Sequence, residues 1–451
     1  MSLDKKARCL LISANRVTTP YPVYPIGVAH LMGALIQHGH QADHVDILAS
    51  NGSGALLQLL QQNNYDVIGI SIRNIDSVDS ASPKAMIYDI VEVMEEVRNL
   101  SHAPVVLGGP GFSIMPQELM VLLKADFGIV GEGEEAFPAL IDKLMAGCPI
   151  EGKIFSQSLE NYPECTPQYA SDVARYYIDH GGMLNIQTKR GCNYGCSYCS
   201  YPAIEGKKVR YRDPARIVED ITRLKKDFDA RYIFFTDGVF NDHSDHHLHI
   251  AEALIRAGNT TPWCAFFRPQ NLCTKDLRLL KKSGMAAMEL GTDGATDETL
   301  AGINKGFTFD DVVAVNDIIV QESLPCAHFV MFGGPGETKE TVKNGIQNLE
   351  KLHQCIVFAY VGIRVLPGTR LFRQAKDEGI ISADTDIINP VFYYTPAVDR
   401  QFIDTELRLG FKGKMDRIYP MEKMDEYVRL FHSMGHTGPL WDLMLHRRLK
   451  Q

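Results

Sequence analysis

From residue 8 to about 145, short runs of β-branched and aliphatic residues alternate with longer amphipathic stretches. The runs at 9–13, 44–48, 67–71, 105–107 and 128–130 predict strands, because each is short and most are apolar without a break, as strands covered on both faces are. Helical periodicity predicts helices near 26–38, 53–62, 81–99, 114–124 and 134–146. This alternation implies an α/β fold, a doubly wound (Rossmann-like) parallel sheet. The loops 71–74, 108–111 and 131–133 all follow predicted strands, and ligands of open α/β sheets sit beyond the strands' carboxyl ends.

The rhythm breaks over 147–182, where Pro149, Pro163, Pro167 and scattered polar residues predict a linker. A second alternation starts at Met183, with strands expected at 184–188, 232–236, 263–267, 287–290, 328–332 and 359–365. Helices are expected between them, near 215–227, 244–256, 275–283, 309–322 and 338–353, and after them near 369–378. Six strand–helix pairs predict a partial (β/α)6 barrel, since the eight-fold barrel takes about 250 residues. Beyond 380 the pattern is irregular, with Phe392-Tyr393-Tyr394 and a polar amphipathic end around 421–450. The expected plan is a first domain at 1–146, a linker at 147–182, a barrel at 183–380 and a cap or tail at 381–451.

A chain of 451 residues suits two domains and a tail. Apolar content of 45% and charged content of 22% exclude a disordered chain. The net charge of −9 argues against nucleic acid as a bulk partner. The basic run Lys207, Lys208, Arg210 and Arg212 reads as a solvated loop or a local anion site. No run approaches the roughly 20 apolar residues of a membrane span, and the apolar stretch behind Lys5, Lys6 and Arg8 is too short for an export signal. A cytoplasmic location is expected, where the ten Cys act as thiols or metal ligands rather than disulfides.

Three of those Cys carry the chemistry. Lys189-Arg190-Gly191-Cys192-Asn193-Tyr194-Gly195-Cys196-Ser197-Tyr198-Cys199 follows the first barrel strand. Its Cys-x3-Cys-x2-Cys spacing lets one loop fold three thiolates around a [4Fe–4S] cluster, the glycines permitting the tight backbone. Three ligands leave one iron open to substrate, as catalytic zinc keeps an open position. A zinc site would want a fourth ligand at recognisable spacing, and inert thiols are the remaining alternative. Cys264, Cys273, Cys326 and Cys355 read as ordinary thiols, so one cluster is expected.

The spacing, with aromatic Tyr198 before the last Cys, resembles the signature of the radical S-adenosylmethionine (SAM) family. The resemblance implies that the open iron chelates SAM and that one-electron reduction, by a donor such as flavodoxin or ferredoxin, releases a 5′-deoxyadenosyl radical. It also implies SAM contacts at Tyr198, Asp237, Asn241, Arg268, Glu289, Asp293, Gly334, Gly336 and Arg364, all at the ends of predicted barrel strands or beside the motif. As local readings, Asp237 and Asn241 could instead cap a helix, Gly333-Gly334-Pro335-Gly336 could be a plain turn, and Glu289 and Arg364 could pair with each other.

Residues 8–145 resemble the cobalamin-binding domain that precedes the barrel in many radical SAM enzymes. The segments that carry the likeness imply cobalamin contacts at Asn15, Arg16, Ser71, Arg73, Asn74, Gly108, Gly109, Gly131, Glu132 and Gly133. The loop after the first strand lacks the Asp-x-His-x-x-Gly of many cobalamin domains. That implies base-off cobalamin with no His beneath cobalt, and His30 and His40 read as structural. The combined resemblance implies a methyltransferase that C-methylates an unactivated carbon of a small-molecule, lipid or peptide substrate. Cobalamin-assisted cyclisation, ring contraction or rearrangement, and a non-catalytic sensing module, are the alternatives.

Overall fold

The computed structural model describes residues 6–446 apart from 19 and 437. Within them the first parallel sheet is built from β1 (Arg8–Ser13), β2 (Gln41–Asp46), β3 (Val67–Ser71), β4 (Val105–Gly108), β5 (Phe127–Gly131) and β6 (Ile154–Gln157), in the order β2-β1-β3-β4-β5-β6. Successive side chains of β1 enter opposite layers. Leu10 and Ile12 join one core and Cys9 and Leu11 the other, so helices cover both faces. The order reverses between β1 and β3, which opens a crevice beyond their carboxyl ends.

The second parallel sheet comprises β7 (Leu184–Ile186), β10 (Ile233–Phe235), β11 (Trp263–Phe267), β12 (Met285–Asp293), β13 (Cys326–Phe332), β14 (Ile356–Val361) and β17 (Arg417–Ile418). Two short antiparallel pairs interrupt it, β8 (Lys189–Arg190) with β9 (Arg210–Tyr211) and β15 (Ile363–Arg364) with β16 (Phe392–Tyr393). The six strands β7 to β14 stand side by side in sequence order, as a partial barrel requires. Ile233, Ala265 and Val330 face the outer helical layer. Phe234, Cys264, Ala287 and Ala327 face a lumen core filled by Tyr21, Met424, Val428 and Trp441.

Two regions differ from expectation. The stretch 147–182 is not an irregular linker: it supplies β6 to the first sheet and the helix Ser171–Gly181, whose Val173, Ala174 and Tyr177 enter the barrel's outer core. The chain beyond 380 likewise enters the fold, adding β17 at the sheet edge and the helix Glu422–Ser433 in the lumen; residues 447–450 of the expected amphipathic end lie outside the described residues.

The carboxyl ends of the two sheets meet. The helix Tyr201–Ile204, just after Cys199, packs against the helix Pro110–Ile114 beyond β4 and against β5. Tyr201 keeps 36% of its surface exposed although its helix is wedged there.

Candidate active site between the two sheets

The cysteine loop, 191–209, is the excursion between β8 and β9. Gly191 has φ +91°, and a Cβ there would stand 2.1 Å from the Lys208 carbonyl oxygen, so only glycine fits. Its N–H donates to Glu205 at 3.0 Å, and the Cys192 N–H donates to the Gly206 carbonyl at 3.1 Å. Cys192, Cys196 and Cys199 are all half-buried. They feel one another's charge: Cys196 raises the Cys192 thiol, and both raise that of Cys199. Burial is the larger cause, pushing Cys199 up to about 12, while Lys305 opposes it. Arg268 Nη1 lies 3.6 Å from Cys196 Sγ.

No three His, Cys, Asp or Glu among the described residues converge on a single-ion site. A cubane makes a different demand, since each thiolate binds its own iron. Three thiols on one glycine-bounded loop, with Arg268 and Lys305 beside them to offset thiolate charge, fit a [4Fe–4S] cluster.

Of the residues expected near SAM, three gather around this loop. Tyr198 donates to Asp293 Oδ2 at 2.5 Å, and Asp293 is also paired with Lys305. Arg268 stacks on the Tyr194 ring at 3.9 Å and donates to the Lys305 carbonyl, while its Nε is buried without a partner. Asp237 and Asn241 shape the surroundings. Asp237 accepts from the Thr188 N–H at 2.7 Å, the Thr188 hydroxyl at 2.5 Å and the Lys189 N–H at 3.2 Å, fastening the end of β7. Asn241 accepts from the Arg268 N–H at 2.9 Å and donates to the Arg268 and Gln270 carbonyls at 3.1 and 2.9 Å. Gly336 has φ +85° and turns the chain against the Glu298 carbonyl, which a Cβ would approach to 2.7 Å; Gly334 abuts Ile363.

Two expected SAM contacts lie elsewhere. Glu289 sits in the lumen core, where its Oε1 accepts from Tyr21 Oη at 2.9 Å and Trp441 Nε1 at 3.1 Å. Burial raises its carboxyl to about 7 against the pull of those two bonds. Arg364 does not pair with it. Gly362, at φ +77°, breaks the chain out of β14 into β15, and Arg364 meets Asp76 of the first domain, Nε to Oδ2 2.7 Å, with both side chains buried. Its remaining N–H groups donate to the Val365 and Ile387 carbonyls at 2.7 and 3.1 Å.

The residues expected near cobalamin stand at or just beyond the carboxyl ends of β1, β3, β4 and β5. Asn15 follows β1 and is buried with both amide atoms unpartnered, and Asn74 has a buried, unpartnered Oδ1 beyond β3. Ser71 ends β3 and Gly108 ends β4. Gly109, at φ +92°, leaves space that a Cβ would close onto Ile72 O at 2.7 Å and Ser71 Oγ at 3.0 Å. Gly131 and Gly133 follow on β5 and its loop. Arg73 donates to the Val23 carbonyl at 3.3 Å, and burial lowers its pKa. Arg16 is looser, 3.9 Å from Glu92. Orphaned amides at a topological switch point fit a large polar ligand such as cobalamin. His30 and His40 are engaged elsewhere, His30 by Tyr162 at 3.3 Å and His40 by Asp142 at 3.5 Å.

Glu132 has another occupation. Its carboxylate takes Arg190 at 2.9 Å, Arg210, and the Leu159 N–H at 2.8 Å. Sequence reasoning missed Arg190, Arg210 and Glu134 as site residues; the arginines flank the cysteine loop, but their acidic partners lie 56 to 78 residues away.

Residues 186–348 match the model of the radical SAM superfamily, and residues 12–141 match that of the B12 binding domain. The chain is a cobalamin-dependent radical SAM enzyme. This radical SAM enzyme is 23% identical over 455 residues to the tryptophan 2-C-methyltransferase of Streptomyces laurentii, covering 83% of this chain and 75% of that protein. It is 25% identical over 371 residues to an uncharacterized methyltransferase of Pyrococcus horikoshii, covering 78% of each. The solved radical SAM methyltransferase TsrM from Kitasatospora setae, with cobalamin and a [4Fe–4S] cluster bound, shares the fold at a TM-score of 0.87 and 20% identity across 98% of both chains. The cobalamin-dependent enzyme OxsB shares it at 0.71 and 13% identity, over 96% of this chain and 72% of that one.

Proposed function

We propose that this enzyme moves the methyl group of SAM, through cobalamin, to a carbon of a small-molecule substrate. The observation that carries this reading is the meeting of carboxyl ends: the helix just after Cys199 packs against the helix beyond β4 and against β5 of the first sheet. The relatives named as methyltransferases support it. Cys192, Cys196 and Cys199 would hold three irons, with Tyr198, Arg268 and Asp293 beside them. Asn15, Ser71, Arg73, Asn74, Gly108, Gly109, Gly131 and Gly133 would cradle base-off cobalamin, with no His beneath cobalt. When bound, the reduced cluster with SAM supplies a carbon-centred radical, and cobalamin carries the methyl group.

The chain's own residues would orient these groups and keep water from them. Phe266, Phe329 and Tyr360 are half-buried against the lumen core and suit an apolar or planar substrate group. The electron would come from a soluble one-electron donor such as a flavodoxin or ferredoxin, in the cytoplasm. No helix among the described residues is long and apolar enough to cross a membrane.

Incubation of the anaerobically reconstituted enzyme with methyl-labelled SAM, a reductant and candidate substrates, tryptophan first, tests the proposal. Label on a substrate carbon is the expected result. Unlabelled product alongside 5′-deoxyadenosine would overturn it in favour of cyclisation or rearrangement.

A further inference from the structure

The hairpin β8–β9 closes the cysteine loop by pairing Arg190 with Arg210, so these two residues are the loop's entrance and exit. One carboxylate of the B12 binding domain holds both. Glu132, in the loop after β5, takes Arg190 Nη1 on Oε1 at 2.9 Å and Arg210 Nη1 on Oε2. Glu134 takes Arg190 Nη2 at 2.5 Å; burial alone would raise its carboxyl, but Arg190 holds it at about 2. All four side chains are at most 7% exposed.

The surrounding bonds tighten the same joint. Gln187 accepts from Arg190 Nε at 2.9 Å and donates to Glu205 at 2.8 Å, and Glu205 accepts from the Gly191 N–H beside Cys192. Arg210 also donates to the Leu159 carbonyl at 2.9 Å and the Glu205 carbonyl at 2.5 Å. Gly131, immediately before Glu132, has φ +84° and lies so near the Gln157 carbonyl that a Cβ would approach it to 2.4 Å. The acidic loop is thus anchored on its own side.

We propose that Glu132 is a positioning residue, not a cobalamin contact: it pins both ends of the cysteine loop to the B12 binding domain and so sets where the cluster stands relative to cobalamin. Two guanidiniums share this buried carboxylate, so removing its charge leaves Arg210 without a carboxylate and Arg190 with Glu134 alone, which is the costly way to break a buried ion pair. The proposal rests on the reading of 192–199 as the cluster loop, and only one arm of its test depends on that reading.

In the full-length reconstituted enzyme, amide hydrogen exchange and iron content are measured for wild type, Glu132→Gln and Glu132→Asp. For Glu132→Gln, exchange across 191–209 should accelerate about a hundredfold while β11 to β13 keep wild-type protection. Iron per chain should fall, and Glu132→Asp should restore part of both. Unchanged exchange in 191–209, or acceleration spread evenly over the chain, would overturn the proposal. Faster loop exchange with full iron would keep the joint but refute the cluster-loop reading. If Glu132→Gln does not fold, Glu134→Gln, which frees a single Arg190 contact, should give a smaller acceleration confined to 191–209, and uniform or absent change there would overturn the proposal equally.

Discussion

At the residue scale, cysteine spacing was the most legible feature, because three ligands within eight residues need no tertiary information to be seen together. Cys192→Ala should therefore cost the chain most of its iron, measured after anaerobic reconstitution, while leaving cobalamin binding intact. Glu289 was legible as a strand-end carboxylate but not as a lumen residue, since its partners Tyr21 and Trp441 lie 268 and 152 positions away. Its carboxyl, raised to about 7, gives a pH prediction. The fold favours the protonated form, so the stability that this group contributes is fully present below about pH 4.5 and is lost as pH rises through the window from about 4.5 to 7. The loss amounts to roughly 3 kcal/mol at its plateau. In Glu289→Gln the side-chain oxygen still accepts both hydrogen bonds without ionising. The variant's thermal midpoint should fall less between pH 5 and pH 8, the remaining slope including Glu337, which burial also raises to about 7. An unaltered slope would show that Glu289 does not titrate in that window.

At the element scale, apolar runs located the buried strands well, and errors fell where a strand has few apolar residues. β2 begins Gln41-Ala42-Asp43-His44 at a sheet edge, so the expectation of 44–48 was drawn to the apolar end of the segment. β6 reads Ile-Phe-Ser-Gln, and β17 is two residues long, so neither has a pattern to detect. The hairpin β8–β9 is equally short, yet it shapes the cysteine loop. Gly191→Ala should test that shaping. At φ +91°, with the Lys208 carbonyl 2.1 Å from its Cβ, alanine forces the loop to move, a strain of order 1–3 kcal/mol. Denaturant unfolding should register that loss, and iron uptake should fall with it; full stability and iron content would mean the loop has another accessible form.

At the scale of the whole molecule, the sequence announced two α/β units but not how they join. The joints are long-range and polar: Asp76 with Arg364, and Glu132 with Arg190 and Arg210. Arg364→Ala leaves Asp76 buried without its cation and should destabilise the fold by about 3–5 kcal/mol, seen as a lower denaturant midpoint. A change under about 1 kcal/mol would mean that water replaces the cation. The central claim is that one chain brings a [4Fe–4S] cluster and cobalamin to one cleft for methyl transfer. Its most direct measurement is a single anaerobic preparation assayed for iron, cobalt and the fate of methyl-labelled SAM. The account predicts about four irons and one cobalamin per chain, with label leaving SAM for a substrate carbon under reduction. A chain that takes up iron but no cobalamin, or binds both and leaves every substrate unlabelled, would contradict it.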